Sequence, residues 1–555
     1  MGFISRSLIV LSLLYGMVFA IGDMVLLHSQ VSLFWGILFA VVVIGIQYAL
    51  SPWLVERVLT IWWDDPDLPA MPARHRIFIE QLCMERRLPK IRLGVIESGT
   101  PNAFAFGRVR SDARIVVTRG LLDILTPDEI DAVLAHEVGH VAHYDFAVMA
   151  VAALAPLLLY QIYVWTRNVK NLRTVGMAAY VAYLVGQFLV LLLNRTREYH
   201  ADHFSACVTR QPSELSSALV KIAYGMVKAD GEYRQAMRST GEAQKEAQRN
   251  RQLGQAVSLM GIAAVNGGGA LALGMANPQQ AAAVMRWDLI NPWARFYELN
   301  STHPLTALRI RELNRAAKEQ HQVTAYPLPD GGRVNWGRFA VEFFFWAIPV
   351  LAGAGLIALA YFRRPIANLG VVLPENLFPW LFVALGVGWA ARIMFRYQGT
   401  YRPETVETLL EDMDVSQMRP RAVELRGEVV GNGIPGAFWS PDLVMRDQTG
   451  MMFLLYRSSI PFGRLWFGIT DAHRFIGEQV TVEGWYRRGL KPYVEIARLT
   501  ATVTKTDNTP GMVTLFGGKD RNLESETLVQ RSYSRWIQLA AAAALTAGGA
   551  VFLLH

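Results

Sequence analysis

Thr126-Pro127-Asp128-Glu129-Ile130-Asp131-Ala132-Val133-Leu134-Ala135-His136-Glu137-Val138-Gly139-His140 is the stretch from which the chain can be read outward. Its opening carries helix-start chemistry. Thr126 suits the N-cap, Pro127 the first helical position, and Glu129 the far side of a capping box. Ile130, Val133, Leu134 and Val138 then continue an apolar stripe at helical spacing. On such a helix His136 and His140 stand one turn apart on one face, so both imidazoles address one metal ion. Glu137 lies beside them, where a carboxylate can take a proton from an attacking water. Gly139 leaves room for close packing.

Composition places this helix in a membrane protein. Of 555 residues, 52% are hydrophobic and only 18% charged, against about a quarter charged in soluble domains. Seven apolar runs approach the ~20 residues that span a bilayer: Leu8–Leu27, Val31–Leu50, Phe146–Trp165, Gly176–Leu193, Phe339–Phe362, Leu377–Phe395 and Trp536–Leu554. The first is read as half of a hairpin anchor rather than a cleaved signal, because a second run follows it at once. Residues 256–275 are apolar but rich in Gly and Ala, and read as a buried loop or core helix.

The net charge is +8. Eleven Lys or Arg fall in residues 51–145 and eighteen in 195–338, with none between the first two runs. By the positive-inside rule both large loops face the cytoplasm, although Arg167, Lys170 and Arg173 weigh the other way. Basic loops explain the charge, so no nucleic-acid partner is expected. Two cysteines, Cys83 and Cys207, exclude a disulfide framework and an all-cysteine metal site.

The expected organisation is a transmembrane hairpin (1–50), a catalytic domain (51–338) with an inserted hairpin (146–193), a further hairpin (339–396), a soluble β-rich domain (397–533) and a last span (534–555). A helix is expected over His75–Arg87 and a solvated charged helix over Ala236–Leu253. The β-rich region alternates in period two at Val423–Arg426, Met451–Tyr456, Gln479–Tyr486 and Tyr493–Leu499, punctuated by Gly and Pro. It reads as a small antiparallel, OB-like barrel. Phe438, Trp439, Trp466 and Phe467 fit its core or a lipid contact as well as they fit nucleic acid.

A catalytic metal site keeps three protein ligands and one open position. The third ligand is sought in Asn194–His203, just past the fourth run. There Glu198, His200, Asp202 and His203 compete, and spacing does not choose among them.

Four ordered motifs resemble the HtpX-like and CAAX prenyl protease-type membrane zinc metallopeptidases, with the gluzincin pattern HExxH…ExxxD. They are Pro101–Gly107 (PNAFAFG), the His136–His140 motif, Arg195-x-x-Glu198-Tyr199-x-Ala201-Asp202, and Ser301-Thr302-His303-Pro304-Leu305 leading to Arg309. The resemblance covers about residues 1–320. It implies a mostly α, zincin-type catalytic domain holding one Zn2+ per chain. Its ligands would be His136, His140 and Glu198, with Glu137 as catalytic base and Asp202 supporting a zinc histidine. Asn102, Ala103 and Phe104 would lie on an edge strand that receives substrate backbone, and His303 and Arg309 would sit near the reacting carbonyl or support the fold. His200 and His203 become ordinary flanking residues.

The implied activity is hydrolysis of peptide bonds in membrane-associated polypeptides, such as membrane proteins under quality control. The implied setting is a bacterial inner membrane with the site facing the cytoplasm. The other reading is a catalytically degenerate scaffold that recruits partners through its β-domain.

Overall fold

The structure is a computed structural model and describes residues 33–65, 67, 70–169, 172–223, 278–328, 334–361, 377–432, 442–489, 492–503 and 526–554. The run Leu8–Leu27, the charged stretch 236–253, the Gly/Ala-rich stretch 256–275, Phe438 and Trp439 lie outside these residues. The described chain forms two units, one from residues up to 272 with 295–330, the other from 273–294 with 331–555.

The first unit begins with α1 (Leu33–Val58), β1 (Trp62–Trp63), α2 (Ala73–Glu85), β2 (Arg92–Ile96), β3 (Ala103–Phe106), β4 (Arg114–Thr118) and α3 (Arg119–Ile124). Then come α4 (Pro127–Ala142), α5 (Asp145–Thr166) and α6 (Arg173–Thr209), followed by a helical stretch at 212–223. The four strands make one sheet in the order β1-β2-β4-β3. β2 and β4 run parallel, while β3 is antiparallel to β4 and forms an edge.

The helix α4 is buried along nearly its whole length. Its Leu134, Ala135 and Val138 share a core with Val95, Ile115 and Val117 of the sheet. The expected capping box is present: Thr126 N–H donates to Glu129 Oε2 at 2.7 Å, and Glu129 N–H donates to Thr126 Oγ1 at 3.4 Å. Ser217 and Lys221 close over the same carboxylate at 2.5 and 2.7 Å.

Six helices among the described residues are long and apolar enough to cross a membrane. In the first unit these are α1, α5 and α6. α1 extends to Val58, past the expected end at Leu50, with Pro52 inside it. α6 does not stop at Leu193; it continues as one helix to Thr209. A span and the segment holding the ligand candidates are therefore one rigid element. Apolar side chains such as Val151 and Leu189 stand exposed on these helices, as lipid contact requires.

α7 (Pro278–Ile290) belongs to the second unit; α8 (Pro292–Glu298) crosses the boundary, and α9 (Thr306–Glu319) belongs to the first unit; the second unit resumes with two spans, α10 (Trp336–Tyr361) and α11 (Phe378–Arg396). Then follow β5 (Arg402–Pro403), α12 (Val406–Leu410), β6 (Arg421–Asn432), β7 (Asp442–Arg446), β8 (Met451–Leu455), α13 (Gly463–Thr470), β9 (Gln479–Arg488), β10 (Pro492–Val503), β11 (Glu526–Arg531) and the span α14 (Ser534–Leu554). Five strands close into a barrel in the order β6-β7-β8-β10-β9 and back to β6. The barrel departs from an all-antiparallel one, since β8 and β10 pair in parallel. A barrel with an odd number of strands cannot alternate direction all the way round, so one parallel pairing is unavoidable.

Charge sits inside this unit. Glu495 is buried against Arg487 at 2.8 Å and is also approached by Arg396 and Arg457. Burial alone pushes its carboxyl up, but Arg487, Arg457 and Arg396 outweigh burial and hold it at about 2. Arg488, fully buried, donates to the carbonyls of Leu410 and Val284.

Candidate metal centre

Gly139 decides how the site is assembled. A Cβ there would stand 3.1 Å from Ala201 Cα, so glycine lets α6 pack directly on α4. Ser205 Oγ pins the contact by donating to Ala132 O at 2.7 Å. This close crossing carries Glu198 and Asp202 of α6 to the histidine face of α4.

His136 Nε2 and His140 Nε2 lie 3.2 Å apart. Glu198 oxygens stand 3.8 Å from the first and 3.7 Å from the second. The three residues are buried, and one donor atom from each falls within 4.8 Å of the others. The far nitrogens face carboxylates: His136 Nδ1 is 3.0 Å from Asp202 Oδ1, and His140 Nδ1 is 2.6 Å from Asp145 Oδ2. A histidine that donates from Nδ1 keeps a lone pair on Nε2. Two such lone pairs and a carboxylate oxygen then converge on one point, and among the described residues Glu198 Oε2 is buried with no hydrogen bond, though His303 and Arg309 stand within ion-pair distance of it. This donor set suits a cation. Tetrahedral coordination with metal–nitrogen bonds of about 2.1 Å sets two nitrogen ligands about 3.4 Å apart, close to the separation found.

Asp145 is a functional residue that sequence reading missed. It follows Tyr144, whose backbone is left-handed (φ 58) and turns α4 directly into α5. Arg110 stacks on Tyr144 at 3.6 Å. The turn brings Asp145 back beneath His140, where Arg197 Nε also reaches it at 2.9 Å. A carboxylate five residues beyond an HExxH motif is the available signal, but it holds only if the chain reverses at once.

Arg309 of α9 is fully buried and forks onto Asp202, with Nε at 2.8 Å and Nη2 at 2.6 Å. Its third nitrogen is 3.5 Å from Glu198. Burial disfavours its charge, but Asp202 and Glu198 outweigh that and hold its pKa above the ordinary value. His303 Nδ1 lies 3.3 Å from Glu198 Oε2. The loop bearing His303 is clamped by Arg195, whose Nη1 donates to the carbonyls of Glu298, Leu299 and Ser301, and by Asn194, which donates to Thr302 O at 2.7 Å. The Arg195 clamp was likewise missed.

Glu137 is buried beside this cluster. Burial raises its pKa, opposed by His136 and His140; Glu198 raises it further and the Ala105 N–H lowers it. That N–H therefore faces the site from β3. Asn102 is fully buried and tied to β4 through Thr118, with Asn102 N–H donating to Thr118 Oγ1 at 2.8 Å and Thr118 N–H to Asn102 O at 2.9 Å. Ala103 and Phe104 are also buried, each in a hydrophobic cluster. What this segment offers a ligand is backbone, not side chains. His200 and His203 lie outside the cluster: His200 neighbours His143, and His203 Nε2 is 3.4 Å from Cys207 Sγ.

Known proteins resemble this chain in sequence. The profile of peptidase family M48 matches residues 74–317. The HtpX protease homologue of Methanothermobacter thermautotrophicus is 37% identical over 224 residues, covering 39% of this chain and 84% of the relative. That of Moorella thermoacetica is 34% identical, over 35% of this chain and 68% of the relative. The crystal structure of S. mikatae Ste24p aligns at 17% identity with a TM-score of 0.34, over 56% of this chain and 65% of that one, too distant to carry an argument. Identity that spans most of a curated HtpX relative, together with membrane-spanning helices and the buried His136, His140 and Glu198 triad, settles the kinship: this chain belongs to peptidase family M48 and is an integral-membrane protease of the HtpX type.

Proposed function

We propose that the chain is a zinc-dependent endopeptidase that cleaves membrane-associated polypeptides, with its site on the cytoplasmic side of a bacterial inner membrane. The observation that carries the reading is the convergence of His136 Nε2, His140 Nε2 and Glu198 beside the buried carboxylate of Glu137. His136, His140 and Glu198 would hold one Zn2+. When bound, it polarises the scissile carbonyl and acidifies the attacking water.

The chain's own residues do the rest. Glu137 takes the proton of that water and returns it to the leaving amine. Asp202 and Asp145 fix the histidine tautomers and ring orientations. Arg309 spends its fork on Asp202, which favours a positioning role over contact with substrate. His303, only partly buried beside Glu198, is the better candidate to meet the developing oxyanion. The edge strand β3 would take substrate backbone alongside Ala103 and Ala105, residues that share the side of the strand from which Ala105 N–H faces Glu137.

The domain scheme read from the sequence is retained here, with the catalytic domain at 51–338 and the β-domain at 397–533. An OB-like assignment for the barrel is supported by its strand order and by α13 between its third and fourth strands. The degenerate scaffold is not favoured, since every residue the chemistry needs is present. Proteomic comparison of cells carrying wild-type protein or Glu137→Gln tests the substrate class. Membrane proteins should accumulate or co-purify with the variant; exclusively soluble substrates would overturn that class.

A further inference from the structure

The spans α11 and α14 pack antiparallel. Gly386 abuts Ala542 and Thr546, Gly549 abuts Pro379 and Val383, and Leu539 packs with Trp389 and Ile393. The end of α11 and the start of α14 therefore lie at one level, the boundary of the membrane. Three arginines, Arg396, Arg457 and Arg487, gather there around one carboxylate, Glu495, and Arg392 stands one helical turn before Arg396 on α11. Arg487 is used up by Glu495 and by the carbonyls of Gln417 and Arg396. The buried Nε of Arg396 has no hydrogen-bond partner among the described residues. Among the described residues Arg392 forms no ion pair with a carboxylate; it stands one helical turn from Arg396, which shares Glu495 with Arg457.

Directly after Arg457 the chain presents apolar side chains outward. Ile460 is 61% exposed, Phe462 82% and Trp466 69%. This segment is fastened to the first turn of α14. Ser532 Oγ donates to Arg457 O at 2.5 Å, Ser459 and Ser534 hydroxyls lie 2.7 Å apart, and Gln538 donates to Ser459 at 3.2 Å. Tyr533 and Trp536, both exposed, flank the same point. A water-facing site would leave these rings and the uncompensated arginines without a purpose. At a bilayer surface, aromatic residues occupy the headgroup level and arginine forks match phosphate oxygens.

We propose that an anionic phospholipid binds at this boundary, its phosphate between Arg392 and Arg457 and its upper chains against Ile460, Phe462 and Trp466. The site shares no residue with the metal centre, so it stands or falls independently of the peptidase reading.

Native mass spectrometry of the full-length protein tests it, with phosphatidylglycerol, phosphatidylcholine or inorganic phosphate added. Wild type should retain phosphatidylglycerol at least fivefold over phosphatidylcholine, and millimolar inorganic phosphate should not displace it. Arg392→Gln/Arg457→Gln should weaken phosphatidylglycerol binding about tenfold or more. Arg464→Gln, whose partner is Asp442 in the same region, should not weaken it. The wild-type lipid preference needs no variant, so a double variant that misfolds leaves the test intact. Equal retention of the two lipids, undiminished binding by a folded double variant, or displacement by inorganic phosphate would overturn the proposal.

Discussion

Asp145 Oδ2 lies 2.6 Å from His140 Nδ1, across a turn of only five residues that joins the motif helix to a membrane span. The span thereby supplies a carboxylate to the metal site from its first residue. A partner of this kind fixes the tautomer and the ring plane, and its loss typically lowers metal affinity 10–100-fold, roughly. Asp145→Asn should therefore weaken zinc binding by about that factor while folding normally. Competition with a calibrated chelator reads the affinity directly; an unchanged value would show that His140 is oriented by something else.

Arg309 is the counter-charge for two buried carboxylates. Arg309→Met should destabilise the first unit by about 3–5 kcal/mol, the usual cost of stranding a buried charge. Arg309→Lys keeps the charge without the fork and should recover only part of it. Denaturant unfolding monitored by hydrogen exchange in α4 and α9 measures both. Equal stability of Lys and wild type would mean that the bidentate geometry is immaterial.

The β-domain should lose stability in acid. Glu495 has its carboxyl at about 2 in the folded protein, against about 4.3 unfolded. A depressed carboxyl contributes stability that is fully present above the unfolded value and disappears as pH falls through the folded one. That contribution, on the order of 3 kcal/mol, should fade between about pH 4.5 and 2. Hydrogen-exchange protection of β9 and β10, corrected for intrinsic rates, should fall across that window in wild type. Glu495→Gln should be less protected at neutral pH and nearly flat across the window; a wild-type-like acid limb in the variant would refute the assignment.

The parts of this architecture visible in the sequence are those with local causes. Thr126 to Glu129 caps a helix through bonds within one turn, and His136 to His140 is one turn of spacing. The period-two runs that became β6, β8, β9 and β10 announce a half-buried sheet. The parallel pairing of β8 with β10 depends on barrel closure, which no single strand carries. Choosing Glu198 among four neighbours required the crossing of α6 over Gly139, since helical spacing alone places several polar residues near one face. Asp145 went unseen because its use depends on a left-handed residue at Tyr144, where no glycine marks the turn. Arg309 was legible as a motif residue, but its engagement with Asp202 is a contact across 107 residues.

The central claim is that Glu137 moves the proton at a metal site built by His136, His140 and Glu198. The direct test is Glu137→Gln, purified in parallel with wild type, with zinc content and peptide cleavage measured on the same samples. The account predicts one zinc per chain in both proteins and a fall in kcat of about 10²–10⁴-fold in the variant. Full zinc with undiminished cleavage would contradict it.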